Sequence, residues 1–109
     1  MNAYTYLVGW SQHGKFYYGA QWNKNANPDD LWTKYFTSSN RVKKFREQHG
    51  EPDVIQVRKE FGENGGECRD WEERVLVRLK PNKGGTWLNT RVYNKGWFSP
   101  TGSVVVKNL

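Results

Sequence analysis

Apolar and polar residues alternate at the start of the chain. In Tyr4-Thr5-Tyr6-Leu7-Val8-Gly9-Trp10, Tyr4, Tyr6, Val8 and Trp10 fall on one face of a strand over 4–10. A second strand, 15–20, puts Phe16, Tyr18, Ala20 and Trp22 on one side and Lys15, Tyr17, Gly19 and Gln21 on the other. The polar stretch Ser11-Gln12-His13-Gly14 joins them, so a β-hairpin is predicted. The Phe16 set reads as core. The Tyr17 set, with its phenol, cation and amide, reads as a working surface.

After a polar loop, Asn27-Pro28-Asp29-Asp30 reads as a helix start with Leu31, Trp32, Tyr35 and Phe36 as its apolar side. Thr37-Ser38-Ser39 interrupts it and caps a second helix. That helix ends near His49 at Gly50, with Val42, Phe45 and His49 inward. Glu51-Pro52 breaks the chain, and 54–61 is rich in β-formers. A glycine-rich loop leads to a third helix over 67–80, stopped by Pro81. Residues 90–109 form a C-terminal extension offering a small hairpin or an edge strand. The pattern predicts one α/β (α+β) domain over 1–109, with a core over about 4–89. Its centre is a small three-stranded antiparallel sheet flanked by helices.

The third helix contains an anomaly. At about 100° per residue, Cys68, Trp71, Val75, Leu76 and Leu79 form an apolar stripe, and Glu72 falls inside it. A carboxylate aimed at a core costs several kcal/mol (roughly) unless it is paired or binds a cation. Geometry alone leaves two readings of Glu72: a salt-bridged glutamate at the core's margin, or a ligand for a hard divalent cation.

Composition narrows the partner. Seventeen Lys and Arg face eleven Asp and Glu, giving +6, and 16% of the residues are aromatic. That balance favours a polyanion, with nucleic acid the expected class. Arg41, Lys43, Lys44 and Arg46 on the second helix, with Arg58-Lys59, are the candidate backbone-contacting surface, the other reading being a solvated helix face. A lone cysteine, Cys68, points to a reducing, cytoplasmic setting. With two histidines it does not make a structural zinc site. Neither a signal peptide nor a membrane-spanning run is expected.

At Tyr4-Thr5-Tyr6 and Tyr17-Tyr18-Gly19 the chain resembles the GIY-YIG nuclease family, with Tyr4 and Thr5 where the family has glycine and isoleucine. Glu72 stands where the family has its metal-binding glutamate, and Asn89 in Trp87-Leu88-Asn89 where it has an asparagine. The Tyr35–Ser39 stretch is similar to that of phage-type relatives, small free-standing endonucleases. The resemblance implies a metal-dependent DNA endonuclease acting on double-stranded DNA as monomer or homodimer. Mg2+ or Mn2+ would be held by Glu72. Tyr6 would accept the proton of the attacking water, Tyr17 would bind phosphate or water, Lys15 would add positive potential, and Asn89 would orient the site.

The chain departs from the family at one position. Phage-type relatives carry arginine two residues after the glycine, and here that residue is Gln21. Glutamine donates a hydrogen bond but does not offset phosphate charge. Three explanations stand. Gln21 disables catalysis; Arg41, or second to it Arg46, reaches in from the second helix; or the chain is a nucleic-acid-binding module that does not cut. The family histidine that follows the arginine has Tyr35 as its nearest counterpart.

Overall fold

A computed structural model describes residues 1–79 and 85–89. Strands β1 (Ala3–Trp10), β2 (Lys15–Gln21) and β3 (Val54–Gly62) form one sheet in the order β2-β1-β3. Both pairings are antiparallel. Helix α1 (Asn40–His49) precedes β3, and α2 (Gly65–Leu79) follows it. The α+β class and the three strands agree with the sequence pattern. The expected extension 90–109 and the helix stop at Pro81 lie outside the described residues. Among the described residues, no helix is long and apolar enough to cross a membrane.

Cap chemistry sets the helix ends. The Ser39 side chain accepts from the Val42 N–H at 3.3 Å, and Gly50, at φ 86°, ends α1. α2 starts two residues before its expected position. The cause is Asn64, whose Oδ1 accepts from the Glu67 N–H at 3.0 Å while its Nδ2 reaches Glu67 Oε1 at 3.4 Å.

The helix expected after Asn27 does not form. Asn27 does cap, accepting from the Asp29 N–H, but only a 3-10 turn over Pro28–Asp30 follows. Leu31 is extended, and Trp32 has φ 60°. The N–H groups of Thr33, Lys34 and Tyr35 all point at the Asp30 carbonyl. Tertiary demand explains this: Leu31 enters the core, Tyr35 lies edge-on to Tyr6, and Trp32 packs on Phe36 at 5.4 Å. Trp32 and Tyr35 pack against the same core cluster that Leu31 enters, reached here by a turn and not by a helix.

The hairpin register pairs Tyr4 with Gln21, Tyr6 with Gly19, Val8 with Tyr17 and Trp10 with Lys15. The expected working face of β2 is therefore continuous with the apolar face of β1. That face carries the main core: Tyr4, Tyr6, Val8 and Trp10 pack with Ala26, Leu31, Val42 and Leu88, and Tyr17 sits at its margin. Of the residues expected in the core, Tyr18 is buried, whereas Trp22 is exposed beside the Arg69 guanidinium. His49 stacks on Phe45 but stays exposed.

The outer edge of β2 is closed from far along the chain. Phe16 donates its N–H to the Thr86 carbonyl at 2.9 Å and accepts from the Leu88 N–H at 2.8 Å. Asn89 continues this ladder with its side chain, its Oδ1 accepting from the Tyr18 N–H at 3.1 Å and its Nδ2 donating to the Tyr18 carbonyl at 2.7 Å.

Candidate active-site cleft

A cleft of about 320 Å³ is lined by Tyr17, Ser38, Ser39, Asn40, Arg41, Glu72, Leu76 and Asn89. Four expected site residues meet there: Tyr17, Arg41, Glu72 and Asn89. They come from β2, the first turn of α1, the middle of α2 and the segment after it. Glu72 is 5% exposed, so its carboxylate belongs to the inner wall of the cleft. Tyr17 is half-buried, and Arg41 is exposed.

Tyr6 lies beneath the cleft and does not line it. It is 1% exposed, its ring centre is 6.2 Å from that of Tyr17, and its hydroxyl donates to Thr37 Oγ1 at 3.1 Å. Burial pushes the Tyr6 phenol well above its ordinary range, with Tyr35 and Tyr17 adding to the effect. That direction runs against the base role expected of Tyr6, because a base for neutral pH needs a lowered phenol. Tyr35 is also raised, first by burial and further by the Glu72 charge, while hydrogen bonding with Tyr6 and Ser38 pulls it back.

The glycine of Tyr17-Tyr18-Gly19 has a steric reason. A Cβ at Gly19 would sit 2.6 Å from the Tyr6 hydroxyl and 2.7 Å from Tyr17 Cε2. The two phenols lean across it, so the motif glycine is what lets both rings share one face.

Gln21 is occupied elsewhere. Its Oε1 accepts from the Tyr4 hydroxyl at 2.7 Å, across the pair that the register makes. Arg46 is occupied too, bonding Glu51 at 2.9 Å and lying over the Trp32 and Phe36 rings. Of the two α1 arginines, the cleft wall has Arg41. Lys15 Nζ donates to the Gly85 carbonyl, and Arg58 donates to Gln56 Oε1 at 2.8 Å. Lys43 and Lys44 are exposed on α1. Both Asn89 side-chain functions are spent on the Tyr18 backbone, so it fixes β2 and thereby Tyr17.

Sequence reasoning missed Thr37, Ser38 and Asn40 as site-forming residues. Thr37 is 7% exposed, has φ 85°, and accepts from both Tyr6 and the Ser39 N–H at 3.2 Å. A β-branched residue at such a φ stores strain of order ~1–3 kcal/mol, held by its surroundings. It ties β1 to the start of α1. The run Thr37-Ser38-Ser39 carried the signal, since a helix cap also marks where unpaired N–H groups gather.

Glu72 is the one acidic side chain among the described residues lining the cleft. Among the described residues no three His, Cys, Asp or Glu side chains form a metal-holding group. Glu72 alone would therefore leave most coordination positions to water and substrate oxygen, as Mg2+ favours. Cys68, one turn earlier, is buried, and burial followed by the Glu72 charge pushes its thiol up to about 12. It stays a neutral thiol and adds no soft thiolate ligand.

No protein-family model, curated protein or solved structure matches the chain.

Proposed function

We propose that this protein is a divalent-metal-dependent endonuclease of the GIY-YIG type that hydrolyses phosphodiester bonds in double-stranded DNA. One observation carries the reading: a buried carboxylate, a phenol, an arginine and the start of a helix, from distant parts of the chain, line a single cleft. Glu72 would hold Mg2+ or Mn2+, which when bound neutralises phosphate charge and stabilises the departing 3′ oxygen. Arg41 and the N–H groups opening α1 attract the phosphate, because a helix N-terminus and a guanidinium both favour an anion. Tyr17 donates a hydrogen bond to the phosphate or to the attacking water. Tyr6, kept neutral by burial, orients Tyr17 and Thr37 and does not take the proton. Asn89 holds the strand that presents Tyr17. Lys43 and Lys44 extend the basic surface along α1. A reducing cytoplasmic setting, argued from the single cysteine, goes with this reading.

A non-cleaving nucleic-acid-binding module is the second reading. It is favoured by Gln21, which is uncharged and bonded to Tyr4, and by Lys15, whose ammonium donates to the Gly85 carbonyl.

Supercoiled plasmid with Mg2+ separates the two. Cleavage by the natural chain, lost in Glu72→Ala, supports the enzyme. Silence in the natural chain with cleavage in Gln21→Arg identifies a disabled nuclease. Silence in both sinks the enzymatic reading.

A further inference from the structure

We propose that His13 and His49 form a second site, a two-imidazole chelate for a divalent transition ion of right-angle geometry such as Ni2+ or Cu2+. His13 closes the 3-10 turn Ser11–His13 that joins β1 to β2, and His49 is the last residue of α1. The fold brings their ring centres to 4.4 Å, with the planes tilted by 49°. They are the only two histidines in the chain. With Trp10, Gln12, Glu51 and Asp53 they line a pocket of about 200 Å³ that shares no residue with the Glu72 cleft.

Phe45 sets the pair. Its ring lies 4.3 Å from that of His49 and 5.6 Å, edge-on, from that of His13. Phe45 is itself edge-on against Trp10 at 4.9 Å, and Trp10 is buried with its indole N–H donated to the Gly50 carbonyl. The core thus fixes the place of both imidazoles, while the exposed rings turn about their own side-chain bonds. The spacing fits one ion. Metal–imidazole bonds of about 2.0–2.1 Å put the ring centres roughly 4.5 Å apart at a right angle and about 5.2 Å apart at the tetrahedral angle. The observed 4.4 Å matches the right angle, which tetragonal Cu2+ and Ni2+ favour. Among the described residues no third His, Cys, Asp or Glu completes a metal-holding group, so water takes the remaining positions.

The surrounding charge favours a cation. Glu51 bonds Trp32 and Arg46, and Asp53 bonds Ser11, so both carboxylates act through their field and not as ligands. Those hydrogen bonds hold both below the ordinary carboxylate range and therefore ionised at neutral pH. Arg46 offsets Glu51, but Asp53 has no ion pair among the described residues, which leaves the pocket a negative charge on a chain of net +6.

Calorimetric titration of NiCl2 into the untagged full chain, in a buffer that does not coordinate metals, tests this. The natural chain takes up one Ni2+. Excess Ni2+ also raises its melting temperature by several degrees, because the ion joins two elements that only the folded chain brings together. His13→Gln and His49→Gln each weaken binding by roughly tenfold or more and abolish the rise. Both sites are exposed, and circular dichroism checks that the variants fold. A natural chain that does not bind, or an affinity unmoved in either variant, overturns the site. Binding with an unchanged melting temperature overturns the bridge between the turn and α1.

Discussion

Gly19→Ala is the most direct probe of the phenol pair. The new methyl carbon would meet the Tyr6 hydroxyl at 2.6 Å, Tyr6 Cζ at 2.7 Å and Tyr17 Cε2 at 2.7 Å. Tyr6 has little room to yield, being 1% exposed and bonded to Thr37. Overpacking of this kind costs about 1–3 kcal/mol. Loss of glycine's freedom in the unfolded chain returns up to ~1 kcal/mol. The net destabilisation is about 1–2 kcal/mol, a fall of roughly 5–10 °C in melting temperature for a domain of this size. Calorimetry on the natural chain, Gly19→Ala, Tyr6→Phe and the double variant measures it. Tyr6→Phe alone loses one hydrogen bond, worth about 1 kcal/mol. In the double variant the closest clash is gone, so the two costs sum to less than their separate values. An unchanged or raised melting temperature in Gly19→Ala would refute the crossing of the phenols over the glycine. Strict additivity would refute the part assigned to the hydroxyl.

Arg41→Ala is expected to lower plasmid cleavage by roughly 10²-fold with an unchanged melting temperature, as befits a group acting on developing charge. Arg46→Ala is expected to leave cleavage nearly intact and cost about 1 kcal/mol, mostly from the Trp32 and Phe36 rings because its ion pair is largely solvated. Tyr17→Phe is expected to reduce cleavage by about tenfold or more and Tyr18→Phe by less; equal losses in single-turnover assays would remove the distinction between the two faces. Glu51 is held below the usual carboxylate range by hydrogen bonds from Trp32 and then Arg46. Its depressed folded value means that stability is present above the ordinary carboxylate range and lost as pH falls through the folded value. Urea midpoints at about pH 7 and about pH 3 are therefore expected to differ more in the natural chain than in Glu51→Gln.

The sequence made the strands and the second and third helices legible because their signals are local. Alternation locates β1 and β2, and Ser39 with Gly50 marks α1. Glu72 was legible because one carboxylate interrupts an apolar stripe. What escaped depends on register. Alternation along one strand does not say which face of its neighbour it joins, so Tyr17 looked solvent-facing when it borders the main core. The engagement of Gln21 with Tyr4 is likewise a cross-strand fact. The apolar residues after Asn27 satisfy the helical period, yet the chain turns there instead, with the N–H groups of Thr33, Lys34 and Tyr35 gathered on the Asp30 carbonyl. Burial of Tyr6 comes from the cluster it forms with Val42 and Leu31, which no local pattern encodes.

The Asn89 clasp sets when the cleft can exist. Its two bonds to Tyr18 span 71 residues of sequence. β1 and β2 can pair as soon as they are made, since a hairpin is local. The outer rim of β2 waits for residues 86–89 to appear. During synthesis, which delivers the chain N-terminal end first, the hairpin with its phenols precedes the wall that completes it. A nascent chain ending before Trp87 would carry Tyr6, Tyr17 and Glu72 and still have no finished cleft. The cleft wall formed by Asn89 is therefore among the last parts of the described fold to be put in place.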